Sequence, residues 1–94
     1  MIKSIRHKGL RVLWTDGDGS KLPSALIVKI EIMLEVIDTI DQVPGDLAAF
    51  QHWNPHKLSG TLKDQWSLKV NKNYRITFRF DGQHAHDVDY IDYH

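Results

Sequence analysis

Residues 66–80 read W-S-L-K-V-N-K-N-Y-R-I-T-F-R-F, two alternating runs around a break. Trp66, Leu68 and Val70 are apolar with Ser67 and Lys69 between them. Tyr74, Ile76, Phe78 and Phe80 are apolar with Arg75, Thr77 and Arg79 between them. A period of two belongs to strands with one buried and one wet face. Asn71-Lys72-Asn73 separates the runs, and Asn tolerates the left-handed backbone that a tight turn needs. The stretch therefore reads as a β-hairpin. Its polar face carries Lys69, Asn73, Arg75, Thr77 and Arg79, donors on a rigid sheet that suit a phosphate-bearing ligand.

Asp81-Gly82 signals a second turn, and H-A-H-D-V-D-Y-I-D-Y from His84 to Tyr93 reads as a third strand. A three-residue loop, Asp81 to Gln83, sets Val88 opposite Ile76 and Tyr90 opposite Tyr74, apolar against apolar. It also sets Asp87 opposite Thr77 and Asp89 opposite Arg75, which predicts an Arg75–Asp89 cross-strand pair. A two-residue loop turns Asp87 and Asp89 onto the buried face, where unpaired carboxylates are costly.

Upstream the period changes. Leu10, Leu13 and Trp14 have helical spacing within His7–Trp14, after a short candidate strand at Ile2–Ile5. The cluster Asp16-Gly17-Asp18-Gly19-Ser20 reads as a loop; it lacks both the downstream Glu of a calcium loop and the Lys-Ser/Thr of a phosphate loop. A long helix is expected over Leu22–Ile40, with Pro23 in its first turn and Leu22, Leu26, Ile30, Met33, Ile37 and Ile40 as its buried stripe. Val28, Ile32 and Val36 make a second apolar stripe, which points to a partner, a second copy or another helix of the chain as its cover. One or two helical turns over Gly45–Phe50 precede the breaker Pro55. The order β-α-α-(short α)-β-β-β gives an α+β domain, a small mostly antiparallel β-sheet packed by two to three N-terminal helices.

Ninety-four residues make a single domain, residues 1–94. The absence of cysteine excludes disulfides and thiolate metal sites and fits a cytoplasmic setting, and no apolar run suggests a leader or a membrane span. Net charge is zero but unevenly spread. Lys3, Arg6, Lys8 and Arg11 stand in an acid-free opening. Residues 57–79 hold six bases against Asp64 alone, whereas Glu31, Glu35, Asp38, Asp41 and Asp46 stand without a base. A basic face of this kind suits nucleic acid, and also suits an ordinary solvated surface.

Four segments in order, M-I-K-S-I-R-H-K-G-L, H-K-L-S-G-T-L-K-D-Q-W-S, N-Y-R-I-T-F-R-F and D-V-D-Y-I-D-Y-H, span nearly the whole chain. Together they resemble the HigB toxins, the plasmid maintenance killer branch of the RelE/ParE superfamily. The resemblance implies a RelE-like fold and a type II toxin that enters the ribosomal A site and cuts the mRNA there. It also implies a helix-turn-helix antitoxin of the HigA kind as partner, and contact with operator DNA only through the antitoxin complex. Residue by residue it implies a catalytic His56, Arg75, Asp92, Tyr93 and His94, with Lys57, Lys69, Asn73 and Arg79 as RNA-binding residues. Two positions depart from the family pattern: Ser59 stands where the family has Lys, with Lys57 the nearby base, and Tyr74 replaces the usual Trp.

Cleavage on this reading needs no metal or cofactor. The substrate's own 2′-hydroxyl attacks, a base takes its proton, an acid protonates the departing 5′-oxygen, and cations stabilise the phosphorane. His56 and His94 are the expected proton-transfer pair, with Asp92 orienting His94 or acting as base. Arg75 is expected to hold the phosphate, assisted by Lys57 or Arg79, and Tyr93 to stack on a base or donate a hydrogen bond. His84, His86, Asp87, Asp89, Asp92 and His94 have the chemistry of metal ligands, but the register fixes no third donor. Each residue also has a plainer role: His56 as a surface or capping residue, Arg75 as the rung of a structural ladder, His94 as a fraying terminus. Two other functions share the fold: a toxin of the ParE kind that acts by binding a protein, and a catalytically weak relic that keeps its antitoxin.

Overall fold

The hairpin forms as its alternation demands. In the computed structural model, which describes residues 1–60 and 64–92, four antiparallel strands follow in chain order, β1 (His56–Lys57), β2 (Gln65–Lys69), β3 (Tyr74–Asp81) and β4 (His84–Asp92). The β2–β3 register pairs Leu68 with Ile76 and Trp66 with Phe78 on the core side, and Ser67 with Thr77 and Lys69 with Arg75 on the other. The turn between them spans Val70 to Asn73, one residue more than expected, and no residue in it is left-handed. Instead the Asn71 side chain closes it, Oδ1 accepting the backbone N–H of Asn73 at 2.9 Å and of Tyr74 at 2.8 Å.

The β3–β4 register differs from the expectation. Asp81 pairs with His84, so the loop is Gly82-Gln83 alone, both at positive φ (59° and 67°), as a two-residue hairpin turn requires. The register then shifts between Thr77 and Arg79. Asp87 takes a left-handed conformation (φ 54°) and forms a bulge. One extra residue restores the alternation, so Ala85 and Val88 are both buried while Asp89 faces Thr77 on the wet side. The carboxylates stay off the core, as the cost of burial dictates, but by a bulge rather than a longer loop. The predicted Arg75–Asp89 pair is absent: Arg75 stands opposite Ile91, and Ile76 opposite Tyr90. Tyr90 instead stacks on Tyr74, centroids 4.9 Å apart and 13° between planes. Burial and the neighbouring Tyr74 push the Tyr90 phenol above its ordinary value.

The N-terminal segment runs parallel to the free edge of β4, with Ile2 bridging Ala85 and Ile5 bridging Val88. Helix α1 (Lys8–Asp16) follows. His7 caps it, Nδ1 accepting the Leu10 N–H at 3.2 Å, and Gly17 ends it in the left-handed conformation that favours glycine (φ 72°). The long helix starts later than expected. Pro23 is extended (ψ 125°), a 3₁₀ turn covers Ser24–Leu26, and α2 runs Ile27–Thr39. A 3₁₀ segment, Gly45–Trp53, kinks at Phe50 and leads to β1.

The expected stripe of α2 holds. Ile30, Met33 and Ile37 are fully buried, in one cluster with Leu10, Leu47, Leu68, Ile76, Phe78 and Val88. The helices therefore lie on one face of the sheet and leave the other wet. No helix among the described residues is long and apolar enough to cross a membrane.

Candidate functional site

Four strands carry one row of side chains across the wet face: His56 beside Ser67, Ser67 beside Thr77, Thr77 beside Asp89. The next row on the same face is Lys69, Arg75 and Ile91, and the row on the other side is Gln65, Arg79 and His86. The period of two thus places an imidazole, two hydroxyls and several cations on one surface.

His56 is oriented by the chain just before it. Its Nδ1 lies 2.8 Å from the Asn54 carbonyl oxygen. A carbonyl only accepts, so Nδ1 carries the proton and the neutral ring keeps its lone pair on Nε2. Asn54 is left-handed (φ 48°) and ends the 3₁₀ segment by donating its N–H to the Gln51 carbonyl at 2.9 Å. That backbone suits Asn, and the Asn-Pro pair preceding His56 was the signal available in the sequence for this orienting role.

Ser67 and Thr77 lie on the wet face yet are buried, and Ser67 Oγ has no hydrogen-bond partner among the described residues. Nothing in the strand alternation singled Ser67 out. Arg75 is half-buried on the same face, with Nε and Nη1 withdrawn from water. Arg79 is held between carboxylates, its Nη1 3.8 Å from Asp81 and its Nε 3.6 Å from Asp87.

The remaining expected residues are more scattered. Lys69 is the cross-strand neighbour of Arg75. Asn73 lies in the turn, two positions from Arg75. Lys57 pairs with Trp66, on the opposite parity of β1 from His56, and is exposed. Asp92 is exposed at the end of β4, opposite Tyr74. Tyr93 and His94 lie outside the described residues. His84 and His86 pair with Asp81 and Arg79 at the far end of the hairpin. Desolvation, then Lys3, the N-terminal ammonium and His86, hold the His84 imidazole below its ordinary value. Among the described residues no cluster of three or more His, Asp or Glu side chains is placed to hold a metal ion.

An imidazole with an available Nε2 can take or give a proton, and a half-buried guanidinium can hold an anionic oxygen. The layering and strand order are those of the RelE-like toxin fold. Residues 3–94 match the family of HigB-like toxins, described as the RelE-like toxins of type II toxin–antitoxin systems. The chain is also similar to a curated protein, endoribonuclease HigB of Proteus vulgaris, at 39% identity over 94 residues, 100% of both chains. The chain belongs to the HigB-like toxin family, and as a type II toxin it has an antitoxin partner.

Proposed function

We propose that this toxin is an endoribonuclease that cuts mRNA in the ribosomal A site and so stops translation. What carries the reading is that His56 and Arg75 share one wet sheet face, in adjacent rows, with His56 Nδ1 committed to the Asn54 carbonyl. The named activity of the Proteus vulgaris relative supports it.

In the proposed reaction His56 Nε2 takes the proton of the substrate's 2′-hydroxyl. The 2′-oxygen attacks the adjacent phosphorus, and the bond to the 5′-oxygen breaks. The departing oxygen takes its proton from His94, which Asp92 orients. A 2′,3′-cyclic phosphate and a 5′-hydroxyl result. Arg75 neutralises the charge that grows on the phosphorane oxygens, with Lys69 as the nearest second cation. Tyr93 contacts the substrate base, and Lys57, Asn73 and Arg79 contact the backbone at longer range. Residues 1–94 act as a single toxin domain in the cytoplasm. The antitoxin is a helix-turn-helix protein of the HigA kind, and operator DNA is reached only through that complex.

The test is a pulse of expression in bacteria, wild type beside Arg75→Ala, with mRNA 5′ ends mapped. The expected result is new ends inside coding frames, in register with codons and absent from the variant. Growth arrest without such ends moves the reading to a protein-targeting toxin, and no arrest at all to a relic.

A further inference from the structure

Helix α2 turns Val28, Glu31, Ile32 and Glu35 outward, all of them exposed, Val28 at 69% and Ile32 at 50%. Their spacing of i, i+3, i+4 and i+7 makes them one continuous strip. Alongside, between α1 and α2, lies a depression of about 230 Å³. Leu13, Trp14 and Leu34 give it an apolar lining, and Glu31 and Glu35 line it with carboxylates. Neither glutamate is in an ion pair with another described residue. The one cation of α2, Lys29, is committed elsewhere, its Nζ donating to the Val70 carbonyl.

An apolar hollow with paired carboxylates fits a long side chain with a cationic tip. The stem of a Lys or Arg lies against Trp14 while its charge meets Glu31 and Glu35. The adjoining Val28 and Ile32 need aliphatic partners at helical spacing. A second copy of this chain supplies the wrong charge: a two-fold contact through the strip gathers four carboxylates and no cation from either α2.

We propose that this strip docks the antitoxin. The antitoxin presents a helix with a Lys or Arg seated in the depression and aliphatic side chains against Val28 and Ile32. The proposal rests on family membership and not on the nuclease reading. The inner face of α2 packs on the sheet face opposite His56 and Arg75, so the strip lies outside the candidate site.

The experiment is calorimetric titration of purified toxin with the purified antitoxin of its own operon. Wild type is compared with Glu31→Lys/Glu35→Lys and with Val28→Ser/Ile32→Ser. Each pair is expected to weaken binding at least 100-fold, with circular dichroism unchanged because all four side chains are exposed. Reversing the antitoxin's matching Lys or Arg to Glu is expected to restore binding to Glu31→Lys/Glu35→Lys. Affinities within threefold of wild type for both pairs overturn the proposal. So does a wild-type toxin that sediments alone as a dimer which Val28→Ser/Ile32→Ser abolishes, because the strip is then a self-interface.

Discussion

The hydroxyl of Ser4 accepts the backbone N–H of Asp87 at 2.8 Å, across 83 positions of chain. Asp87 is the residue that adds one position to β4, and a bulge leaves its N–H outside the ladder. The N-terminal segment supplies the acceptor. Ser4→Ala removes it and is expected to cost about 1 kcal/mol. Urea unfolding should show a lower midpoint at an unchanged slope. An unchanged midpoint means that water replaces the hydroxyl without loss.

Ser67 has the opposite balance. Its side chain is fully buried and its Oγ has no partner among the described residues. An unsatisfied buried hydroxyl costs about 1–3 kcal/mol, so Ser67→Ala is expected to stabilise the fold by about 1 kcal/mol. Thermal unfolding reads the difference, and a fall in midpoint counts against the assignment.

The two arginines of β3 should part company. Arg75 is half-buried in the row beside that of His56, whereas Arg79, in the row on the other side, has Asp81 and Asp87 within 4 Å of its guanidinium, at 3.8 and 3.6 Å. Arg75→Ala is expected to lower ribosome-dependent cleavage by about 100-fold or more, as removal of a single charge-stabilising donor does. Arg79→Ala should change it less than about threefold, since Asp81 and Asp87 beside it weaken its pull on the reacting phosphate. Comparable losses would show that Arg79 meets the reacting phosphate as Arg75 does, rather than the backbone at longer range.

His56→Ala is expected to lower single-turnover cleavage by about 10²- to 10⁴-fold, the range for a proton-transfer group. The thermal midpoint should hardly move, because the imidazole is only half-buried and bonds to its own neighbour Asn54. Loss of fold together with activity would make the bond to Asn54 a structural one.

Acid should weaken the fold partly through His84. Desolvation, Lys3, the N-terminal ammonium and His86 hold its pKa below 6.5. The unfolded chain therefore binds this proton more readily than the folded one, and stability falls as the pH drops through 6.5 toward the lower folded value. His84→Gln removes the proton site. The unfolding free energy of the variant is expected to decline less between pH 7 and pH 5 than that of wild type, and equal slopes sink the idea.

These features differ in how far the sequence revealed them. The β2–β3 hairpin rests on neighbours: alternation fixes its faces, and Asn71 closes a turn of four residues. Its existence and faces were legible, and its turn is one residue longer than the alternation suggested. Helices α1 and α2 were legible to within a turn, missing the extended Pro23 and the 3₁₀ step that follows. The β4 register was not, because it depends on a left-handed Asp87 whose N–H is satisfied by a residue from the other end of the chain. The apolar match of Tyr90 with Tyr74 survives as a diagonal stack rather than a direct pair. In the candidate site, the resemblance named His56 and Arg75, and alternation gave Arg75's face. The orientation of His56 comes from a backbone turn at Asn54, and the isolation of Ser67 from burial by neighbours, neither of which a one-dimensional pattern encodes.

The parallel bridges from Ile2 and Ile5 each reach 83 positions along the chain, to Ala85 and Val88. A chain emerging from the ribosome has its first segment and both helices long before it has Ala85 and Val88 to pair with. The sheet edge thus completes only once β4 is available, and non-local closure of this kind comes late in folding. The opening segment and β4 therefore depend on each other for their place, and the sheet edge forms as part of the whole domain rather than from the N-terminal half alone.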